Sequence, residues 1–342
     1  MPFLAWPEIE SFHNIRKFVR VDPEEWFRAK EQLSGTSTVQ YKCKVKLHGT
    51  NAAVQVHQDG TVLVQSRTNL ITPENDNAGF ARWAMTNKDK WNFVCDVGIP
   101  HGSDVYCDWI IYGEWCGPGI QKGVAISEIP KKIFAVFAAR PMNGSDQLVV
   151  EPEALELLVG GISDVYVLPW YDRTIDINWK QSDEELTKST EEISKWVLSV
   201  EASDPWVKAT FGVKGTGEGL VFYPTSTPHQ GWENFNYLVF KAKGEAHKNI
   251  KTAAPAQVNA EAAASIEAFA ELTLTQARLE QGATAVGGYD LKQTGKFVSW
   301  ITADVQKECQ DELEASKLDW KTVQRPLTDR ARNWFIQESK RR

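Results

Sequence analysis

The feature that most constrains this chain is a series of short runs in which apolar and polar residues alternate, separated by turn residues. Between Val39 and Val64 the runs are YKCKVKL, AAVQVHQ and TVLVQS, and Asp59-Gly60 separates the last two. That dipeptide between alternating runs is a strong hairpin signal. Further runs are VYCDWIIYGEW (105–115), KIFAVFAA (132–139), GLVFY (219–223) and NYLVFKAK (236–243). The pattern predicts antiparallel β-structure with inserted helices.

Helices are predicted between and after these strands. Asp22-Pro23 favours a helix start that Gly35 ends, and Ser182 to Glu185 has capping-box spacing. The Ala-rich stretch 252–265 predicts a linker that runs into a helical region. Apolar residues with helical spacing are Leu186, Ile193, Val197 and Val200, then Ile266, Phe269, Thr273, Phe297, Trp300, Ile301, Val305, Leu327, Ala331, Trp334 and Phe335. We therefore predict an α+β fold with an antiparallel-sheet domain at 1–250 and a small all-α domain at 251–342.

Composition excludes several classes of protein. The 342 residues suffice for two domains, and 42% hydrophobic with 24% charged residues excludes global disorder. No apolar run is long enough to span a bilayer, and the start MPFLAWPEIE has no basic stretch followed by an apolar one, so neither a membrane partner nor a secretory signal is expected. The odd number of cysteines, without a CxxC pair, favours free thiols in a reducing, cytoplasmic compartment.

The segment Lys44-Val-Lys-Leu-His-Gly-Thr-Asn51 carries the most chemistry. It lies where one strand ends in a glycine turn and another begins. A lysine becomes a nucleophile only when desolvation or neighbouring cations favour its neutral form. Lys42, Lys44 and Lys46 alternate and therefore share one face of the strand, so a solvated strand face is the alternative interpretation.

Six motifs in order resemble those of the covalent nucleotidyltransferase superfamily, which comprises DNA ligases, RNA ligases and capping enzymes. They are the lysine motif at Lys46, Ser66-Arg67-Thr68, Tyr112-Gly-Glu-Trp-Cys-Gly-Pro-Gly-Ile-Gln-Lys122, Ile133–Phe137, Glu218-Gly-Leu-Val221 and Lys241-Ala-Lys243. The HGTN form of the first motif resembles the RNA ligase 2 branch of phage nick-sealing enzymes and RNA-editing ligases. This resemblance implies a nucleotidyltransferase (adenylyltransferase) domain followed by a helical RNA-binding domain, and suggests a phage protein that acts in the host cytoplasm.

The resemblance also implies roles for single residues. Lys46 would form a lysyl-AMP from ATP, and His48 would act in the later transfer steps. Arg67 suits phosphate or sugar contacts, Glu114 ribose hydroxyls, and Glu218 a divalent metal, Mg²⁺ or Mn²⁺. The remaining nucleotide contacts would be Asn51 near the phosphates, the backbone of Val45 and Leu47 at the adenine edge, and Lys241 and Lys243 at the α-phosphate, where they would also favour the neutral form of Lys46.

Phe137 would stack on adenine. Phe134 is expected to lie on the same face of the strand and is the alternative candidate for the stacking ring. Each of these residues has a plain structural alternative: a surface arginine at Arg67, a polar strand face at the lysine pair, and core packing for either phenylalanine. One departure from the family pattern is Ala138, where an acidic residue often follows the stacking aromatic.

The activity implied is an ATP-dependent RNA ligase that joins a 3′-OH to a 5′-phosphate through lysyl-AMP and RNA-adenylate, at nicks or breaks in duplex or structured RNA. A monomer and an end-healing kinase or phosphatase as partner are expected. The alternatives are a DNA ligase or capping-type guanylyltransferase, against which His48 and the Gly-Pro-Gly-Ile-Gln-Lys string argue, and a non-catalytic RNA-binding relative.

Net charge alone points away from nucleic acid, because the chain has a formal charge of −7. The local distribution reverses that inference. Acidic residues are concentrated at 182–204, whereas the segment from Lys317 to the C-terminus has eight lysines and arginines and three acidic residues. Lys241, Lys243, Lys248 and Lys251 lie close together in the sequence. We expect RNA contacts at the nucleotide-site face and in the C-terminal segment, with strong salt dependence.

Overall fold

A computed structural model describes residues 3–21, 38–96, 107–145, 147–225, 238–244, 269–270, 273–309, 313 and 319–341. The chain divides into two compact units, Met1–Gly244 and Glu245–Arg342. In the described ranges, no helix is both long enough and apolar enough to cross a membrane. The helix predicted from Asp22 to Gly35 and the linker at 252–265 lie outside the described residues.

The first unit contains two sheets. Their strands are β1 (Glu10–Ser11), β2 (Thr38–Lys46), β3 (Thr50–Val56), β4 (Val62–Ser66), β5 (Leu70–Ile71), β6 (Trp109–Cys116), β7 (Ile133–Pro141), β8 (Val165–Val167), β9 (Tyr171–Asn178), β10 (Gly219–Pro224) and β11 (Phe240–Lys243). The first sheet has the order β1-β11-β10-β2-β9 and the second the order β5-β4-β3-β6-β7-β8. All pairs are antiparallel except β1 with β11 and β7 with β8. The predicted antiparallel-rich α+β fold is confirmed.

Helices pack on these sheets and build the second unit. They are α1 (Phe12–Val21), α2 (Phe80–Thr86), α3 (Lys88–Trp91), α4 (Pro152–Val159), α5 (Asp183–Ala202), α6 (Pro205–Phe211), α7 (Gln276–Ala285), α8 (Thr294–Glu308) and α9 (Trp320–Arg341). Short 3₁₀ helices span Asn92–Asp96, Ala125–Glu128 and Leu291–Gln293. The capping box predicted for α5 is confirmed, because Ser182 and Glu185 bond reciprocally there.

Each sheet buries one face against helices. Along β2, Val39, Tyr41, Cys43 and Val45 belong to the core that contains residues of α5 and α6. Along β3, Ala52, Val54 and Val56 belong to a second core with residues of α2 and α4. A third apolar cluster joins the opposite faces of the two sheets and includes Ala53, Tyr112, Ala138, Val221 and Tyr223. Since strand residues alternate between faces, the lysines of β2 face the inner cleft between the sheets.

The second unit is helical in its described part. Its core contains Phe297, Ile301 and Val305 of α8 and Leu327, Ala331 and Phe335 of α9. These positions were predicted from their helical spacing, and they are buried. The helical C-terminal region is therefore confirmed, whereas the binding function of residues 251–342 stays a prediction.

Candidate active site

The chain crosses from one sheet to the other through Leu47, His48 and Gly49, directly after the candidate nucleophile. Gly49 packs so closely against β6 that a Cβ at this position would lie 2.5 Å from the Trp115 carbonyl oxygen. Its N–H donates to Glu114 Oε1 at 3.0 Å. The crossing is thus held against the second sheet, and Lys46 at the end of β2 is held at the mouth of the cleft.

The register of three strands brings two lysines to the same place. Lys46 on β2 and Lys243 on β11 both lie opposite Gly219 of the intervening β10. Gly219 has φ +152°, and a Cβ there would collide with the Ala242 carbonyl oxygen, so glycine is required. The two lysines therefore project from the same row of the sheet.

Glu218 lies between the cationic groups of this row. Its Oε2 is 2.7 Å from Lys46 Nζ and 3.5 Å from His48 Nδ1, and its Oε1 is 3.7 Å from Lys243 Nζ. Burial alone would raise the pKa of Glu218, but Lys46, His48 and Lys243 together hold that pKa well below its usual range. The carboxylate is therefore charged at neutral pH.

This arrangement differs from the one expected for Lys241 and Lys243. They were expected to hold the α-phosphate and also to favour the neutral form of Lys46. In the structure Lys243 faces Glu218, whose negative charge offsets the positive charge of the lysine. Lys241 is one row further along, opposite Val221, and is partly buried. The ion pair with Glu218 holds Lys46 Nζ at 2.7 Å from the carboxylate, so Lys46 must be released from it before it can attack.

Glu114 and Asn51 form the opposite wall of the site. They are direct partners in the β3–β6 register, so their side chains lie next to each other on one face. Burial, and secondarily Glu218, raises the pKa of Glu114 to about 7, although Lys46 acts in the opposite direction. A carboxyl group with this pKa can both donate and accept hydrogen bonds near neutral pH, which suits contacts with hydroxyl groups.

Replacing Glu114 by glutamine is expected to stabilise the protein at alkaline pH. The folded chain holds the Glu114 proton more tightly than the unfolded chain, whose glutamate titrates near 4.5, so wild-type stability falls as pH rises from 4.5 to about 7. Glutamine cannot ionise and keeps the acceptor for the Gly49 N–H. Melting curves at about pH 5 and pH 8 should show an advantage for Glu114→Gln of about 2–4 °C at the higher pH only.

The exposed Glu128 supplies the control for that measurement. Glu128→Gln should follow the wild-type pH dependence. Parallel melting profiles for Glu114→Gln and wild type would contradict the assignment of this titration to Glu114.

The two candidate aromatics do not share a face. Phe134 is fully buried in the core of the second sheet, with its ring centroid 5.0 Å from that of Phe80. Phe137 is partly buried and contacts Trp6 at 4.9 Å. The expectation of a common face was wrong, because the two positions differ by three and successive residues of a strand alternate between faces. Phe137 is the ring placed at the inner cleft, and Phe134 is core.

The remaining candidates lie at the margins of the site. Val45 and Leu47 bury their side chains in the first core, and β9 pairs with β2 only up to Cys43, so Val45 lies past the end of that pairing. Arg67 follows β4 at the same end of the sheet as Asn51, and its side chain is 53% exposed. Its Nη2 is 3.8 Å from Glu8. Roles of Arg67, Val45 and Leu47 in nucleotide binding stay predictions.

Lys44 contradicts the alternative interpretation of a solvated strand face. Its side chain is 1% exposed and lies between the sheets. The alternation of β2 predicted that Lys44 shares a face with Lys46, but the sequence carries no sign that a second sheet covers that face. The burial of Lys44 could therefore not be predicted from the sequence.

The carboxylates of the site fit a metal that takes only one or two of its ligands from the protein. Across the residues that the structure describes, no group of three or more His, Cys, Asp and Glu is placed to bind an ion. Mg²⁺ commonly takes one or two carboxylates, and fills its remaining positions with phosphate oxygens and water. Glu218, with Glu114 nearby, fits that kind of binding and does not fit a closed protein cage.

The fold and the site together define a class: two antiparallel-rich sheets with a lysine at the cleft between them, set among a carboxylate, a histidine and a second lysine. A model of the RNA ligase family matches residues 40–243, more than half of the chain and all six motifs. The chain belongs to the RNA ligase family.

Other comparisons concern curated proteins and solved structures. A search of the curated proteins found no significant match. Similar solved structures include a Naegleria gruberi RNA ligase with PPi, 19% identical with a TM-score of 0.44, and a mutant with AMP and Mn, 18% identical with a TM-score of 0.43. Both matches cover 72% of this chain and 58% of the other. The match therefore spans less than two thirds of those proteins.

Proposed function

We propose that this chain is an ATP-dependent RNA ligase that joins a 3′-OH to a 5′-phosphate through a lysyl-AMP and an RNA-adenylate. One observation carries the proposal. Lys46 Nζ lies 2.7 Å from the buried Glu218, at the end of the cleft and inside the segment that the family model matches. A lysine at such a place is held in position for attack on a bound nucleotide once it leaves the ion pair.

The first step is attack of Lys46 Nζ on the α-phosphorus of ATP. An N–P bond forms, the bond between the α-phosphorus and the bridging oxygen breaks, and pyrophosphate leaves. Lys46 Nζ donates to Glu218 Oε2 and must leave this ion pair and lose a proton to water before it attacks, because the lowered pKa of Glu218 makes that carboxylate a poor base. The AMP then passes to the RNA 5′-phosphate, which frees Lys46, and attack by the RNA 3′-OH releases AMP.

Charge and shape assign the supporting roles. Lys241 and Lys243 offset the negative charge of the α-phosphate as it moves toward the transition state. Glu114 and Asn51 bind the sugar and phosphates, Phe137 stacks on the base, and His48 acts with Glu218 in the later transfers. A Mg²⁺ or Mn²⁺ ion held by Glu218 would neutralise phosphate charge during each transfer.

The substrate we propose is a nick or break in duplex or structured RNA, bound in part by residues 251–342. The chain would act as a monomer in a reducing cytoplasm, after an end-healing kinase or phosphatase has prepared the ends. A sealing assay tests this directly. Single-stranded RNA is compared with nicked duplexes whose strands are RNA or DNA on either side of the nick. Sealing of all-DNA nicks alone would favour a DNA ligase.

Charge reversal in α9 is expected to separate RNA binding from nucleotide chemistry. Arg330 and Arg332 lie on this basic helix, and the side chain of Arg332 is 49% exposed. The variant Arg330→Glu/Arg332→Glu should weaken RNA sealing about 10-fold or more at low salt, because about two phosphate contacts are lost. Adenylylation of Lys46 should stay at the wild-type rate.

Lys188 provides the matched control, since it is 70% exposed on α5. Lys188→Glu should leave both sealing and adenylylation unchanged. Equal loss of both activities in the Arg330/Arg332 variant would argue against a division of labour between the two units.

A further inference from the structure

The strand that carries Phe137 is interrupted at that residue. In the β6–β7 register Tyr112 lies opposite Ala138 and Gly113 lies opposite Val136, so Phe137 is the extra residue of a β-bulge. A bulge redirects a side chain and removes one residue from the regular ladder. The Phe137 ring packs with Trp6 at the inner cleft, and Phe134, on the opposite face of β7, lies in the core behind the sheet.

A buried lysine from the other sheet binds this bulge. Lys44 Nζ donates to the Phe137 carbonyl oxygen at 3.0 Å, which connects β2 to β7 across the cleft. Lys44 precedes Lys46 by two residues and therefore lies on the same face of β2. The same lysine side chain thus links the strand of the candidate nucleophile to the strand of the candidate base-stacking ring.

The surroundings of Lys44 fix its position. Its Nζ lies 4.9 Å from the centroid of the Trp170 ring and 6.0 Å from that of the Tyr223 ring. Trp170 is anchored in turn, because its Nε1 donates to Glu151 Oε2 at 2.8 Å. Burial lowers the pKa of Lys44 to about 7, although Glu151 and Glu153 act in the opposite direction. An amine in either protonation state still donates to a carbonyl.

Keeping a lysine in this interior costs stability. An apolar side chain of the same length would fill the space without the desolvation penalty of an amine. The polar group has a specific partner, however, and that partner is the backbone carbonyl of the residue at which β7 leaves its regular pairing with β6. The contact therefore accounts for the presence of an amine where packing alone would favour methionine or leucine.

We propose that Lys44 is a positioning residue for the nucleotide base: its bond to the Phe137 carbonyl locks the β7 bulge and sets the Phe137 ring relative to Lys46. This inference rests on the proposed function, in which Phe137 stacks on the base. Lys44 itself touches neither the base nor the reacting atoms. It acts through the backbone of Phe137, so its loss should affect base binding and base selectivity more than the chemical step.

The test is the variant Lys44→Met, which keeps the length of the side chain and removes the donor. Adenylylation with labelled ATP should show a KM for ATP raised about five- to tenfold, the size of one hydrogen bond, with the maximal rate within about twofold of wild type. The preference for ATP over GTP should fall by a similar factor. Lys42→Met is the matched control, since Lys42 lies on the same face with its Nζ 5.5 Å from the Trp170 ring.

A double-mutant cycle with Phe137→Leu identifies the route of the effect. If Lys44 acts through Phe137, adding Lys44→Met to Phe137→Leu should raise KM little further. A merely structural role would lower the melting temperature and the active fraction, and would leave KM and base preference unchanged. Wild-type KM in Lys44→Met, or KM effects that multiply in the double variant, would overturn the inference.

Failure of the Lys44 inference can be distinguished from failure of the variant to fold and from failure of the proposed function. If Lys44→Met does not fold, Lys44→Gln replaces it, because the glutamine amide is one bond too short to reach the Phe137 carbonyl. The same rise in KM for ATP is expected. A wild-type KM in Lys44→Gln would overturn the inference. Absence of any adduct in the wild-type protein would overturn the proposed function and this inference with it. A wild-type adduct with unchanged kinetics in the Lys44 variant overturns the inference alone.

Discussion

Replacing Lys46 by alanine is expected to abolish the covalent protein–AMP adduct, with a loss of at least about 10³-fold relative to wild type. The reason is chemical, because two of the neighbouring lysines that the structure describes are held by other contacts. Lys44 is buried and bound to the Phe137 carbonyl, and Lys243 lies 3.7 Å from Glu218 on the far side of the carboxylate. Incubation with α-labelled ATP and Mg²⁺, followed by denaturing electrophoresis, measures the adduct.

Lys243→Ala is the matched control, since Lys243 also contacts Glu218 and faces the same cleft. It removes a charge and leaves the nucleophile, so the adduct should still form, about 10²–10³-fold more slowly. A wild-type level of adduct in Lys46→Ala, or a complete loss confined to Lys243→Ala, would transfer the nucleophile assignment to another residue.

The same Lys46 variant should keep the last step of the reaction. Joining of RNA that already carries a 5′-adenylate does not require a lysine nucleophile, because the 3′-OH attacks the activated phosphate directly. Lys46→Ala should therefore join pre-adenylylated RNA while failing to join RNA with a 5′-phosphate. Failure with both substrates would indicate damage to the whole site, and melting curves would distinguish that case.

Local patterns in the sequence predicted much of the fold. The hairpin around Asp59-Gly60 was visible because the dipeptide and the alternating runs act within a few residues of each other. The strand Tyr171–Asn178 was missed because it is an edge strand with mostly polar, exposed residues and only Ile175 and Ile177 buried. Helix Phe12–Val21 was missed as well: its residues carry no acidic first turn, and the signals at Asp22 drew the prediction further along the chain.

The site was predicted as a set of residues but not as a geometry. Alternation correctly placed Lys44 and Lys46 on one face, yet burial of Lys44 depends on a second sheet built from residues far away in the chain. Alternation places Phe134 and Phe137 on opposite faces of β7, whereas the bulge at Phe137 is a one-residue change of register that leaves no mark in composition. Contacts such as Lys46 with Glu218 join residues 172 apart, so only the folded chain shows that the carboxylate offsets the lysine charges.

Replacing Glu218 by glutamine is expected to have the second large effect, on both activity and stability. The substitution keeps the shape of the side chain and removes the charge that Lys46, His48 and Lys243 share. Adenylylation should fall about 10²–10³-fold, the size seen when one preorganised electrostatic group is removed from an active site. If this carboxylate holds the metal, the concentration of Mg²⁺ or Mn²⁺ that gives half-maximal labelling should rise. Titration of the metal in the labelling assay measures that concentration.

Stability should fall for a related reason. Glutamine removes the charge that the partly buried ammonium groups of Lys46 and Lys243 both contact, which costs about 2–4 kcal/mol when a buried pair is broken. Urea denaturation at neutral pH measures this loss. Glu184→Gln, an exposed carboxylate on α5 that is 3.9 Å from Lys188, should change neither stability nor labelling.

The pH dependence gives the sign of the Glu218 contribution independently. A carboxylate whose pKa lies below its usual range in the folded chain contributes stability above the unfolded value, and that contribution is lost as pH falls toward the lowered pKa. Glu218→Gln has no such group, so the stability difference from wild type should be full at neutral pH and shrink in acid. A difference that stays constant down to strongly acid pH would mean that Glu218 is not the anion that balances the lysines.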